Sequence, residues 1–345
     1  MRNFIISDLH GNGYVYDSIM NYLYNELEYG NDDITLHIIG DLIDRGLDSG
    51  SMLVDMYERI TNKEEFKIDY LGGNHELMMY NAYKDTKDLK DNEFLSEYIS
   101  RACQRWKDRN MGYITTRYLQ KFYSREEISK LIEFIGNLDV YRVLDNTMDD
   151  KKIILVHACA CKAMEDNKTL RINDGTTVSE TAVWARRSDF INYGFTTGVG
   201  NPNFFTVIGH TPVKYMPGYK YEELDNTLNI DGANSYFSYN NTMYLYSKKN
   251  PFQQIEDVII PLEQYDEDIQ ETLNNYSHTP LVEVLDNKLR ILTFNHTNEI
   301  IVGNYFESGV NTLINNNELN KYRKNLHTNE KAKQRVRKIT KSFFE

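Results

Sequence analysis

NFIISDLHG at residues 3–11, ITLHIIGDLIDRG at 34–46 and FKIDYLGGNHE at 66–76 repeat one pattern. In each, a short apolar run ends in a polar, glycine-marked loop, and a stretch of helical length follows. The runs Asn3–Ser7, Ile34–Ile39 and Phe66–Leu71 are nearly continuous and rich in β-branched residues, as in strands buried on both faces. Between them, Tyr14–Glu28 and Ser49–Ile60 have the length and apolar spacing of helices. The series reads βαβαβ, which implies an α/β fold with a parallel sheet and right-handed crossovers. In such sheets functional groups gather beyond the carboxyl ends of the strands. SDLHG, GDLIDRG and GGNHE each stand at such an end.

Outward from this core, residues 81–136 read as a mainly helical insertion, with Asp91–Lys107 and Arg125–Ile135 as its best helices. Strands resume at Val140–Leu144 and at Lys152–Val156, the latter running into His157. A helix around Ser179–Arg187 carries VWARR, and the strand Phe204–Ile208 delivers GHTP at 209–212. Leu228–Ile230 and Met243–Tyr246 bracket the turn at Asp231–Gly232 and read as an antiparallel addition. Past a composition shift near Ser247–Pro251, the segments Pro280–Val284, Lys288–Phe294 and Ile300–Asn304 read as a small meander with a turn at Asp286–Asn287. The domain reading is a catalytic unit over 1–248 and a C-terminal α+β accessory region over 249–345 that ends in a basic helical tail.

The chain has 345 residues, 41% hydrophobic and 26% charged, the balance of an ordinary globular protein. No apolar run reaches the roughly 18–20 residues that span a bilayer, and the N-terminus lacks a signal-peptide core. The expected location is the cytoplasm. Net charge is −12, which argues against a general nucleic-acid surface. Residues 318–345 reverse that sign, with nine Lys/Arg against three acidic residues. Docking on the acidic body is the structural reading of this tail; an anionic partner is the functional one. Cys103, Cys159 and Cys161 are too few for a disulfide framework. Cys159 and Cys161 read as small buried residues sharing a strand face.

Asp8 and His10 lie two apart where a strand ends, Asp41 ends the next, and Asn74 and His75 follow the third. His157 and His210 each follow a later strand. Ligands of the type that bind divalent metals thus converge on one sheet edge. Hydrolysis of a phosphate ester needs such a centre. Two cations roughly 3.5–4 Å apart acidify a water and clamp the phosphoryl oxygens, and one carboxylate can bridge them. His37, inside ITLHII, reads instead as a packed core residue.

D-x-H-G, G-D-x-x-D-R-G, G-N-H-E, a later strand-end His and G-H-T-P together resemble the calcineurin-like metallophosphoesterases over about residues 3–246. Within them the chain most resembles the phosphoprotein phosphatase branch in its bacterial and phage forms, the serine/threonine protein phosphatases. The resemblance implies a two-sheet sandwich flanked by helices. It implies Asp8 and His10 on the first metal, Asp41 bridging, and Asn74, His157 and His210 on the second, with Mn²⁺ as the expected ion and Fe, Zn, Ni or Mg as alternatives. A metal-bridging hydroxide would attack phosphorus while His75 protonates the leaving oxygen. Asp44 would orient His75. Arg45 and Arg186 would hold phosphate oxygens with their forked donors, Arg186 being preferred to Arg187 for the Trp-x-Arg pattern. Glu76 reads as a structural partner.

The sequence departs from the family at Ala158, where glycine is usual. GNHE favours a phosphorylated protein or peptide substrate. A hydrolase of diadenosine polyphosphates or nucleotides is the alternative, and a metal-stabilised binding module is the non-enzymatic one.

Overall fold

The structure, a computed structural model, describes residues 1–29, 33–62, 66–166, 168–186, 201–212, 226–235, 278–285, 287–294, 300–307, 310–315 and 317. Strands β1 (Arg2–Ile6), β2 (Ile34–Ile39) and β3 (Lys67–Leu71) run parallel in that order. Helices α1 (Gly13–Tyr29) and α2 (Ser49–Asn62) connect them, as the βαβαβ reading requires. Strands β1 and β2 are buried on both faces, and successive side chains alternate between two cores. Phe4 and Ile6 pack with Val15, Ile19 and Met52 on the helical side, while Ile5 points into the second core.

The insertion is helical but divided differently from the expectation. Helix α3 (Asn74–Thr86) starts directly at the GNHE motif, so Asn74 and His75 sit in a first helical turn rather than a loop. The predicted helix over Asp91–Lys107 shrinks to α4 (Arg101–Lys107). Leu95 has a left-handed backbone (φ 53°), which no α-helix accommodates, and Ser100 then caps a new start by accepting from the Cys103 amide at 3.1 Å. Left-handed Met111 (φ 58°) separates α4 from α5 (Gly112–Phe122). Helix α6 (Arg125–Gly136) opens with a Ser124/Glu127 capping box and buries Ile128, Leu131, Ile132 and Ile135 at helical spacing.

A second sheet has the order β4-β5-β6-β7, formed by β4 (Tyr141–Met148), β5 (Lys151–Val156), β6 (Phe204–Ile208) and β7 (Thr227–Asn229). Helix α7 (Thr177–Trp184) ends two residues before Arg186. The strand expected at Leu228–Ile230 is present as β7, where it pairs parallel to β6; its expected antiparallel partner, Met243–Tyr246, falls outside the described residues. Parallel strands need a long crossover, and 18 residues, 209 to 226, lie between β6 and β7. Met243–Tyr246, Arg187 and the basic tail lie outside the described residues.

The predicted meander is present as β8 (Thr279–Leu285), β9 (Lys288–Phe294), β10 (Ile300–Glu307) and β11 (Val310–Leu313). It extends the first sheet to β11-β10-β9-β8-β1-β2-β3, with β8 antiparallel to β1. Val282, Val284, Leu289 and Ile291 join Ile5, Ile39, Leu71, Ile153, Leu155, Phe205 and Val207 in the core between the sheets. The region beyond residue 248 thus supplies both a hydrogen-bonding partner for the N-terminal strand and part of the sandwich interior. His37 is a core residue, as read: its Nδ1 meets Asp69 at 2.9 Å and its Nε2 meets Asn3 at 3.0 Å. Cys159 is buried, and Cys103, Cys159 and Cys161 are all free thiols. No helix among the described residues is long and apolar enough to cross a membrane.

Ending the chain at residue 248 is expected to give insoluble or non-cooperatively melting protein, because β1 loses its antiparallel partner β8 and the core between the sheets loses four side chains. Ile291→Ala in the full chain is expected to cost about 2–5 kcal/mol in urea unfolding. A soluble 1–248 fragment with a cooperative melt would contradict this assignment.

Candidate active site

The loops after β1 and β2 zip together beyond the strands. Asp8 N donates to Gly40 O (3.2 Å), His10 N to Asp41 O (3.0 Å) and Gly11 N to Leu42 O (2.9 Å). This pairing holds Asp8, His10, Asp41, Asp44 and Arg45 in left-handed backbone, with φ between 46° and 71°. His210, after β6, shares that conformation at 67°. Non-glycine residues seldom stay there unless the surroundings over-determine them, and such positions collect at functional sites. Close approach of the loops is allowed by glycine. A Cβ on Gly40 would lie 2.6 Å from both the Gly73 Cα and His157 Nδ1.

All six predicted ligands meet in one buried cluster, Asp8, His10, Asp41, Asn74, His157 and His210 being at most 5% exposed. Three imidazoles share one arrangement. His10 Nδ1 faces Ile43 O (3.1 Å), His157 Nδ1 faces Ile39 O (2.8 Å) and His210 Nε2 faces Trp184 O (3.1 Å). A carbonyl can only accept, so each outer nitrogen carries the proton that it donates. The inner nitrogens converge. His10 Nε2 is 3.5 Å from Asp41 Oδ2, and His157 Nε2 is 3.4 Å from Asp41 Oδ1. Asn74 Oδ1 lies 3.1 Å from His157 Nε2 and 2.8 Å from His210 Nδ1. Outer bonds of this kind orient metal-binding histidines.

Asp41 belongs to two ligand groups, one with His10 and His75 and one with His157 and His210, each spanning at most 4.8 Å. Asp8 turns Oδ2 to Ser7 Oγ and the His210 amide, leaving Oδ1 toward His10 Nε2 at 3.9 Å. Glu76 is structural, as read. It accepts from the amides of Asp41, Leu42 and Gly73 and from the Tyr70 hydroxyl, at 2.7–3.0 Å.

The electrostatics suit cations. Burial alone would lower His157, but the carboxylates of Asp41 and Asp8 outweigh it and push this imidazole up to about 10. Burial brings His210 down to about 3, helped by the charge on His157. Burial also holds His10 well below its usual value, with Arg45 and His75 adding to it. Burial would raise Asp41, yet His157, His75 and His10 hold it well below the usual carboxylate range. Buried carboxylates beside converging imidazole nitrogens and an amide oxygen form a donor set that fits divalent ions such as Mn²⁺ once a cation displaces the His157 proton.

His75 differs from the other histidines. Its Nδ1 faces a carboxylate, Asp44 Oδ2 at 2.7 Å, and its Nε2 faces Arg45 Nη2 at 3.4 Å. It therefore stands on the cluster's edge with a polar neighbour on each side. Arg186 lies beside His210, its Nη1 reaching His210 O (3.5 Å) and Thr211 Oγ1 (3.3 Å).

Sequence reading missed five residues here. Trp106 and Thr115 of the insertion bond Asp44. Trp184 supplies the carbonyl for His210 and carries Arg105 over its ring at 4.4 Å. Asp231, after β7, is buried, and that burial together with the charge of Asp8 pushes its carboxyl well above the usual range. Trp184 stands within VWARR, where the pattern served only to choose Arg186, and no motif marks the other four. The one available signal was scarcity: both tryptophans of the chain border this site.

No curated protein sequence matches the chain. Among solved structures, it is similar to a cold-active protein-tyrosine phosphatase of a psychrophilic Shewanella species, at 12% identity and TM-score 0.39, covering 91% of this chain and 80% of that one. It is also similar to a protein serine/threonine phosphatase from Saccharomyces cerevisiae, at 14% identity and TM-score 0.41, covering 67% of each. A metallophosphoesterase from Sphaerobacter thermophilus aligns at 19% identity and TM-score 0.30, over 62% of each chain. The family model for calcineurin-like phosphoesterases matches residues 1–246, the span that contains every residue of the cluster. With this match, two mixed sheets flanked by helices and a buried Asp/His ligand cluster, the chain belongs to the calcineurin-like phosphoesterases, metal-dependent hydrolases of phosphate esters.

Proposed function

We propose that this protein is a phosphomonoesterase of the serine/threonine protein phosphatase type, working in the cytoplasm with two divalent ions, Mn²⁺ first among them. One observation carries the proposal. Three imidazoles donate their outer N–H groups to backbone carbonyls while their inner nitrogens converge on Asp41 and Asn74. Asp8 and His10 would hold one ion, Asn74, His157 and His210 the other, and Asp41 both. When bound, the ions would acidify a water and neutralise the phosphoryl oxygens.

The remaining steps belong to side chains. Arg45 and Arg186 would grip phosphate oxygens from two sides of the cluster, orienting phosphorus for in-line attack. Because Arg45 Nη2 lies 3.4 Å from His75 Nε2, an ester held by Arg45 brings its leaving oxygen within reach of His75. Nε2 would give its proton to that oxygen, with Asp44 holding the opposite nitrogen. The choice of a phosphoserine or phosphothreonine side chain rests on the sequence resemblance. A diadenosine polyphosphate or nucleotide is the second reading, favoured by Arg105. Stacked on Trp184, whose ring lies 6.2 Å from His210, it offers a further cation for a second phosphate.

Chelated protein is expected to be inactive on p-nitrophenyl phosphate and to recover with Mn²⁺; full activity after exhaustive chelation would rule out the metal mechanism. His75→Asn is expected to lower kcat by about 10²–10⁴, the usual range for a general acid, with metal content unchanged by elemental analysis. Loss of metal from that variant would make His75 a ligand instead. The raised His157 value has its own consequence. Metal must displace the proton there, so apparent affinity should increase as pH rises toward about 10. Calorimetric titration at pH 7 in buffers of different ionisation enthalpy should show release of about one proton on metal uptake; no release would contradict the charge assignment.

A further inference from the structure

Asp44 is fully buried, and its carboxylate is saturated from three directions. Oδ2 accepts from His75 Nδ1 at 2.7 Å and from Trp106 Nε1 at 2.8 Å, while Oδ1 accepts from Thr115 Oγ1 at 2.6 Å. Trp106 and Thr115 are themselves fully buried and belong to α4 and α5 of the insertion. The indole lies against the start of α5, where a Cβ on Gly112 would come within 2.4 Å of Trp106 Nε1. Left-handed Met111 sets that close approach by ending one helix turn and beginning the next.

The chemistry of the two donors is informative. Both are neutral, so they satisfy a buried carboxylate without competing as cations with the His75 imidazole. A carboxylate's terminal torsion is broad and two-fold, so one hydrogen bond leaves the group free to swing. Donors on both oxygens remove that freedom. The imidazole bonded to Oδ2 is then held in one plane, with Nε2 aimed along one line.

We propose that Trp106 and Thr115 are positioning residues for the proton transfer: by locking Asp44 they keep His75 Nε2 directed at the leaving oxygen. The inference rests on the reading of His75 as general acid. It gives the helical insertion a part in catalysis. An acid misaligned by an ångström loses efficiency most where the leaving oxygen most needs a proton.

The test uses the Mn²⁺-loaded full chain and a series of substrates from 4-nitrophenyl phosphate through phenyl phosphate to an alkyl phosphate. Wild type is compared with Trp106→Phe/Thr115→Val and with His75→Asn. The double variant is expected to lose about 10–100-fold in kcat on phenyl and alkyl phosphates, part of what a general acid supplies. On 4-nitrophenyl phosphate the loss should be several-fold smaller, with KM little changed. In metal-free protein labelled with ¹⁵N-histidine, the His75 Nδ1–H signal should exchange with solvent faster than in wild type.

Equal loss across the series, or an unchanged Nδ1–H exchange rate, would overturn the inference. If His75→Asn itself shows no dependence on the leaving group, the acid reading fails. If that variant shows the dependence and the double variant does not, this inference fails alone. Should the double variant not fold, Thr115→Val is compared with Thr115→Ser. Only the serine, which keeps the hydroxyl, should restore the leaving-group pattern, and equal behaviour of the two would overturn the proposal.

Discussion

The carboxylate of Asp41 is the contact on which the rest of this architecture depends. It stands at the end of β2, the middle strand of the parallel trio, and faces an imidazole with each oxygen: His10 on Oδ2 and His157 on Oδ1. These two histidines come from different sheets. Asp41 therefore ties the carboxyl ends of both layers to one point, and a buried charge at that point requires compensation from both. The left-handed backbone of its neighbours, the glycine contact at Gly40 and Gly73, and the amide donors to Glu76 all bring the loops close enough to supply it.

Around that carboxylate the histidines divide by what their far nitrogen touches. His10, His157 and His210 face backbone carbonyls, which hold the outer N–H and turn the other nitrogen inward. His75 faces the carboxylate of Asp44. A carbonyl is a neutral, immovable acceptor and suits a ligand; a carboxylate stabilises positive charge and suits a group that carries a proton to substrate. One fold edge thus yields two kinds of histidine a few ångströms apart, distinguished by their partners.

The legible part of the sequence was the part governed by local rules. Strand ends followed by polar loops located Asp8, His10, Asp41, Asn74, His157 and His210, because a parallel sheet brings its carboxyl ends together whatever the intervening chain does. His37 and Glu76 were also readable, one from its place within an apolar strand and the other from its place beside the predicted ligand motif. Trp106 and Thr115 were not. They reach Asp44 from 62 and 71 residues away through helices whose breaks, at Leu95 and Met111, depend on left-handed residues that carry no glycine signal. The parallel pairing of β7 was hidden for a related reason: its partner β6 lies across a crossover, and no local turn or periodicity announces such a pairing. The pairing of β8 with β1 joins residues about 280 positions apart, and no periodicity records such a contact.

The most direct test of a centre shared through Asp41 is anomalous scattering from crystals grown with Mn²⁺. Two peaks about 3.5–4 Å apart, one beside Asp8 and His10, the other beside Asn74, His157 and His210, and both within bonding distance of the Asp41 carboxylate, are the predicted result. A single peak, or two that do not share Asp41, would contradict the account.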